Sequence, residues 1–106
     1  MYIRIQDNSI RFRVSKAEAS QLTEGKTIQS SIALSPTHSL VYGVNTNLSP
    51  HFFNFDSKTN RLLLSINREQ LQKELEGRPS KQGLLFSQSM TDKSISVSLE
   101  IDLKRK

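Results

Sequence analysis

The residues best suited to binding chemistry stand in the opening segment "YIRIQDNSIRFRV". They are Tyr2, Arg4, Arg11 and Arg13. A guanidinium group binds a carboxylate or phosphate through two parallel hydrogen bonds, and a tyrosine ring can stack on a base. The segment therefore predicts a basic surface for anionic or protein ligands, provided that the fold places these four side chains on one face.

A β-hairpin would position them in this way. With residues 7–8 as a two-residue loop, Tyr2 lies opposite Arg13 and Arg4 lies opposite Arg11. Alternation then places the apolar residues on the other face: Ile3, Ile5, Ile10, Phe12 and Val14. We call the surface of Tyr2, Arg4, Arg11 and Arg13 the arginine face.

Like charges that face each other across a strand pair destabilise a sheet unless something neutralises them. One explanation is neutralisation within the fold, for example by Glu100 and Asp102 on a neighbouring strand. A second is recognition of a protein partner through Tyr2 and the arginines. A third is binding of a phosphate-bearing ligand, nucleic acid included, assisted by the "KRK" tail at 104–106. The sequence leaves all three open.

No residue pattern predicts catalysis or metal binding. Cysteine is absent, and neither His38 nor His51 stands in a pattern with orienting partners. The "EGKT" at 24–27 lacks the earlier glycine, the preceding strand and the following helix of a phosphate-binding loop. We expect a protein that is not an enzyme and has no catalytic residues, metal or cofactor. An enzyme acting on an anionic substrate would need carboxylates converging beside the arginines.

Composition sets further limits. A length of 106 residues suits one domain, 1–106, and the formal net charge is +5. This charge permits attraction to anionic partners without requiring it. No apolar run is long enough to span a membrane, and the N-terminal residues lack the apolar region of a signal peptide. We therefore expect a cytoplasmic protein with no membrane association.

Two short helices are predicted from their termini. Ser15 and Glu18 form a capping-box pattern, and Gly25 marks the end of a helix over 16–24. Asn67 caps the second helix, which ends at Gly77.

Most of the remaining chain is predicted to form strands and turns, with 45–50 a loop. The strand "HFFNF" is expected to place Phe52, Phe53 and Phe55 in the core. After the loop 78–83, segments 84–90 and 94–103 form a last hairpin around "TDK". The pattern indicates an α+β fold with about seven strands in a mostly antiparallel sheet, curled or barrel-like in one arrangement. If the final strand lay at an edge, it could pair with a second copy to form a homo-oligomer.

The two helix segments resemble each other. "FRVSKAEASQLTEG" and "LLSINREQLQKELEG" both run from a strand through a cap and a short helix to glycine, although a one-residue gap is needed. Either an internal duplication or a recurrence of the same local physics accounts for the likeness.

The opening "IRIQDNSIRFRVSKAE" resembles a family of small bacterial proteins of unknown function that begin with an "IRI…NSIRxRxxxxE" stretch. The resemblance implies a conventional small soluble domain and supplies no activity, cofactor or catalytic residue. The arginine face favours a non-enzymatic interaction module that binds another protein. The alternative is nucleic-acid or phosphate-ligand binding through the same face.

Overall fold

A computed structural model of the chain describes residues 1–77, 84–89 and 94–102. The predicted loop 78–83, the turn 91–93, Met90, Leu103 and the tail 104–106 lie outside the described residues. In chain order the elements are β1 (Tyr2–Gln6), β2 (Ser9–Ser15), α1 (Lys16–Thr23), β3 (Ile28–Ser35), β4 (His38–Asn47), β5 (Phe52–Asp56), β6 (Arg61–Asn67), α2 (Arg68–Glu76), β7 (Leu84–Ser89) and β8 (Ser94–Asp102).

Within the described residues the strands form two four-stranded sheets, in the orders β1-β2-β8-β7 and β3-β4-β6-β5. Each sheet consists of two antiparallel hairpins joined by one central parallel pair, β2 with β8 and β4 with β6. The expected α+β class, with mostly antiparallel strands and two short helices, is confirmed. The described strands number eight where the sequence suggested about seven, and they form two separate sheets with no closed barrel.

The same arrangement occurs twice along the chain. Strand β2 pairs with β8 over Ser9–Ser15, and β6 pairs with β4 in the same register over Arg61–Asn67. The hydrogen bonds at the start of the two parallel pairs also match. Ser96 N–H donates to the Asn8 carbonyl, and Val41 N–H donates to the Asn60 carbonyl, both over 2.9 Å. This equivalence supports the duplication interpretation and shows that the two half-chains are intertwined.

Local sequence explains how each half begins. The hairpin of β1 and β2 has the predicted register throughout, and Asp7 in its turn takes a left-handed conformation with φ of 52°. Ser15 then caps α1 in a full capping box with Glu18. Gly25 follows the helix with φ of 92°, a conformation that glycine adopts without the steric cost of a side chain.

Helix α2 begins at a related but different cap. The Asn67 side chain accepts a hydrogen bond from Gln70 N–H over 3.1 Å. The Asn67 backbone N–H donates to His51 Nδ1 over 3.0 Å, which takes the place of the reciprocal bond in a capping box. His51 therefore has a structural role at the entrance to α2.

One apolar cluster draws on both sheets and both helices. Its fully buried members include Phe12, Leu22, Leu64, Leu71 and Leu99. The rings of Phe12 and Phe53 meet edge to face at 6.3 Å and join the first sheet to the second. This cluster leaves the outer faces of both sheets available for polar side chains.

Several core and boundary predictions were wrong. Ile5 is 59% exposed because it lies on an edge strand next to the turn, and Phe52 and Phe55 are also about half exposed. Alternation places Phe52 on the outer face. Phe55 shares a face with Phe53 but lies near the end of an outer strand, and of the three only Phe53 is buried. The predicted loop at 45–50 instead begins as strand, because parallel pairing with β6 extends β4 to Asn47.

The final strand does not lie at an edge, which was the condition for its pairing with a second copy. β8 lies between β2, which pairs with Ser96–Asp102, and β7, which pairs with Ser94–Leu99.

Because each sheet contains strands from both half-chains, damage to either sheet should destabilise the whole molecule. We expect Leu64→Ala and Leu99→Ala each to lower the free energy of unfolding by about 2–5 kcal/mol. Urea denaturation followed by circular dichroism should show a single transition in both variants. Lys58→Ala, in an exposed turn, is the control and should change the free energy of unfolding by less than about 0.5 kcal/mol. Two separate transitions would contradict the intertwined core.

Candidate binding face

The structure brings all four residues of the arginine face together. Tyr2 lies opposite Arg13 and Arg4 lies opposite Arg11 on β1 and β2, as the sequence predicted. Alternation turns these side chains away from the core, because their neighbours Phe12 and Val14 are fully buried. The face is therefore a preformed feature of the first sheet.

Tyr2 and Arg13 contact each other directly on this face. Arg13 Nη1 donates to the Tyr2 hydroxyl oxygen over 2.9 Å, and the guanidinium carbon lies 5.9 Å from the centre of the Tyr2 ring. The Tyr2 side chain nevertheless remains 51% exposed. The hydrogen bond to Tyr2, followed by the nearby carboxylates of Asp102 and Glu100, raises the pKa of Arg13 against the opposing effect of desolvation. Arg13 therefore stays a cation at this surface.

Carboxylates on β8 partly neutralise the arginine face, as expected if the charges are balanced within the fold. Arg11 Nε lies 3.8 Å from Glu100 Oε1, and Arg13 Nη2 lies 3.6 Å from Asp102 Oδ1. Both distances are at the long end for ion pairs, and exposed pairs of this kind contribute little to stability. In the described part of the chain, Arg4 has no carboxylate partner.

Two concave regions adjoin the face. Arg4, Arg11, Gln6 and Ser9 line a shallow depression of about 160 Å³. On the α1 side lies a cavity of about 260 Å³, whose lining residues are Met1, Tyr2, Arg13, Val14, Ser15, Glu18 and Asp102. The arginine face thus combines charged groups and an aromatic ring with two neighbouring concave regions.

The cavity contains an ion pair that sequence reasoning missed. The Met1 ammonium group donates to Glu18 Oε2 over 2.9 Å, while Glu18 Oε1 accepts from Ser15 N–H over 2.9 Å. Partial burial alone would raise the pKa of Glu18, but the hydrogen bonds from the ammonium group and from Ser15 outweigh it and lower the pKa. The capping box was visible in the sequence, whereas the position of the ammonium group depends on the tertiary fold.

The second sheet provides an internal comparison for the face. By the matching register of the two hairpins, Tyr2 and Arg4 on β1 correspond to Phe52 and Asn54 on β5. On β2 and β6, Arg11 and Arg13 correspond to Leu63 and Ser65.

The acids follow the same correspondence, with Asn45 on β4 at the position of Glu100 on β8. Ser65 Oγ donates to Asn45 Oδ1 over 2.6 Å, so a neutral pair occupies the position where the first sheet has charged groups. The fold therefore tolerates uncharged residues at these positions.

The histidines and acids of the described residues do not form a metal site. In residues 1–77, 84–89 and 94–102, no three His, Asp or Glu side chains cluster as a metal ion would require. His38 is the first residue of β4, directly after the β3–β4 turn, and its Nδ1 is 2.9 Å from Thr37 Oγ1. Within the same residues, neither helix has the length and apolar character to cross a membrane.

Comparison with known protein families shows which family the chain belongs to. It belongs to DUF7009, a family of unknown function, which it matches over residues 1–105. No curated protein and no solved structure matches the chain. The resemblance to an uncharacterised family is therefore confirmed at the level of the family.

The lowered pKa of Glu18 predicts a pH dependence of stability. A carboxyl group whose pKa is lower in the folded state stabilises the fold above its unfolded pKa and loses this effect as pH falls through the folded pKa. Glu18→Gln should therefore be less stable than the unaltered chain by about 1–2 kcal/mol at neutral pH. Urea denaturation at several pH values should show this difference shrinking as pH falls below the ordinary glutamate pKa of about 4.3. A difference that is constant with pH would contradict the role of the Glu18 carboxylate.

Proposed function

We propose that this member of the DUF7009 family is a non-enzymatic interaction module that binds another protein through the arginine face. The comparison of the two sheets carries the proposal. Uncharged residues fill the equivalent positions of the second sheet, so the fold itself does not require facing arginines. Charges placed directly opposite each other without a structural requirement are typical of a surface that meets a ligand.

The chemistry of the face supports a protein partner. Tyrosine and arginine are enriched among the residues that contribute most to protein–protein binding. Here Tyr2 and Arg13 are already held together, which reduces the entropy lost when a partner binds.

The mixed charge of the face weighs against a long polyanion. Glu100 and Asp102 lie beside two of the three arginines, whereas affinity for a nucleic-acid backbone grows with the number of phosphates that cations neutralise. A partner with a small acidic patch and an aromatic or carbonyl-rich surround fits the observed arrangement better.

A small phosphate-bearing ligand remains a second candidate because of one observation. Arg4 and Arg11 face each other across the shallow depression that Gln6 and Ser9 complete. Two guanidinium groups on directly opposed residues could bind one phosphate group. Such binding should weaken as salt is added. A gel-shift assay with mixed DNA and RNA, together with calorimetry using inorganic phosphate, would detect it.

The test of protein binding uses matched variants on the two sheets. The chain with Tyr2→Ala and Arg4→Glu is compared with the chain with Phe52→Ala and Asn54→Glu, whose changes occupy the equivalent exposed positions of β5. Each protein serves as bait in cross-linking and affinity capture from its native cell extract. We expect the first variant to capture at least tenfold less of the partner than the unaltered chain, and the second variant to capture the same amount.

Thermal and urea denaturation of both variants complete the test. Surface changes of this kind should alter the free energy of unfolding by no more than about 1 kcal/mol. Loss of folding by the β1 variant alone would indicate that the arginine face serves the fold. An equal loss of capture by both variants would show that binding depends on the net charge of the chain and not on the arginine face.

A further inference from the structure

Strand β3 is an outer strand of the second sheet, with β4 as its neighbour on one side and no strand on the other in the described structure. It contains eight residues, whereas the outer strands β1 and β5 contain five each. Every side chain from Gln29 to Ser35 is exposed, so neither face of the strand is covered. An outer strand presents unpaired N–H and C=O groups along its free side.

Natural proteins usually protect such an edge with a charged side chain or proline, and β3 has neither. The other two fully described edges carry a charge, at Arg4 in β1 and at Asp56 in β5. The chain contains no Asp, Glu, Lys or Arg between Thr27 and Phe55. On a protein of net charge +5, this long neutral segment forms a distinct surface.

The strand also exposes apolar area. The side chains of Ile32 and Leu34 are 51% and 63% exposed. Ile32 is paired with Leu40, whereas Leu34 is the extra residue of a bulge, where the register with β4 shifts between Ala33 and Ser35. The regular part of the edge is therefore Ile28–Ala33, which ends where the bulge bends the strand away.

We propose that the β3 edge binds a second copy of this chain, strand to strand and antiparallel, about a two-fold axis at Ser31. Ser31 of one copy then lies opposite Ser31 of the other, Gln29 lies opposite Ala33, and Ser30 lies opposite Ile32. Directly opposed residues share a face, so the exposed Ile32 side chains of both copies lie on the same side of the joint sheet. The second sheet of one copy and the second sheet of the other then form one continuous sheet of eight strands.

Charge favours a second copy as the occupant. Two molecules of net charge +5 repel each other, and the repulsion is least where they meet through segments that carry no charge. Antiparallel pairing of one strand with itself is self-complementary, as a two-fold interface requires. Since it uses the free side of β3 in both copies, this contact closes at the dimer. The proposal does not depend on the function of the arginine face.

The test places a charge at the proposed axis. In Ser31→Lys, two ammonium groups would face each other across the interface, whereas Asn54→Lys adds the same charge to the other edge of the same sheet. Both positions are exposed in the described chain, so both variants should fold, which circular dichroism and thermal denaturation verify. Sedimentation equilibrium from about 1 µM to about 1 mM then measures the dissociation constant of each protein.

We expect the unaltered chain and Asn54→Lys to dimerise with the same constant, and Ser31→Lys to dimerise at least tenfold more weakly. Ser31→Glu should be weakened in the same way. An equimolar mixture of Ser31→Lys and Ser31→Glu should regain association as a mixed dimer, since opposite charges then meet at the axis. In the unaltered chain, hydrogen exchange at every second amide of Gln29–Ala33 should slow as concentration rises.

Three results would overturn the proposal. The first is a monomer throughout the concentration range, which would leave the edge to solvent or to a strand of another protein. The second is a dimer that Ser31→Lys does not weaken, since it must then form through another surface. The third is failure of the mixed charge variants to associate, because two-fold pairing at Ser31 requires their rescue.

Discussion

The structure depends on backbone pairing between strands from opposite halves of the chain. β2 obtains its second neighbour from β8, and β6 obtains its second neighbour from β4. Neither half-chain can complete a sheet alone, so neither can cover its own apolar residues. The partial neutralisation of the arginine face follows from the same pairing, because the carboxylates of Glu100 and Asp102 reach Arg11 and Arg13 only when β8 lies beside β2. The same strand pairing therefore covers the apolar core and brings the two carboxylates to the arginine face.

Local features of the fold were predictable from the sequence because they rest on interactions between near neighbours. The hairpin register follows from alternation and a two-residue turn, and both helix starts follow from Ser15 and Asn67 as caps. Pairing partners were not predictable, since alternation tells which face of a strand is buried and not which strand lies beside it. For the same reason Asn45–Asn47 looked like a loop, and Ile5 and Phe55 looked like core.

The candidate site was predicted to a similar extent. The grouping of Tyr2 with the three arginines required only the hairpin, and the nearby acids were one of the alternatives considered. The Met1–Glu18 ion pair and the neutral counterpart of the face on the second sheet require tertiary positions that no local pattern encodes. That neutral counterpart is the more informative of the two, because it separates what the fold needs from what is particular to one surface.

The parallel pairing of β2 with β8 also determines when the molecule can form during synthesis. The hairpin of β1 and β2 leaves the ribosome well before its partner strand, Ser94–Asp102, because seven other elements lie between β2 and β8 in the chain. Sheets dominated by such distant contacts fold slowly, on the order of milliseconds to seconds. Until β8 emerges, the first hairpin lacks its neighbouring strand, and its apolar side is exposed to aggregation.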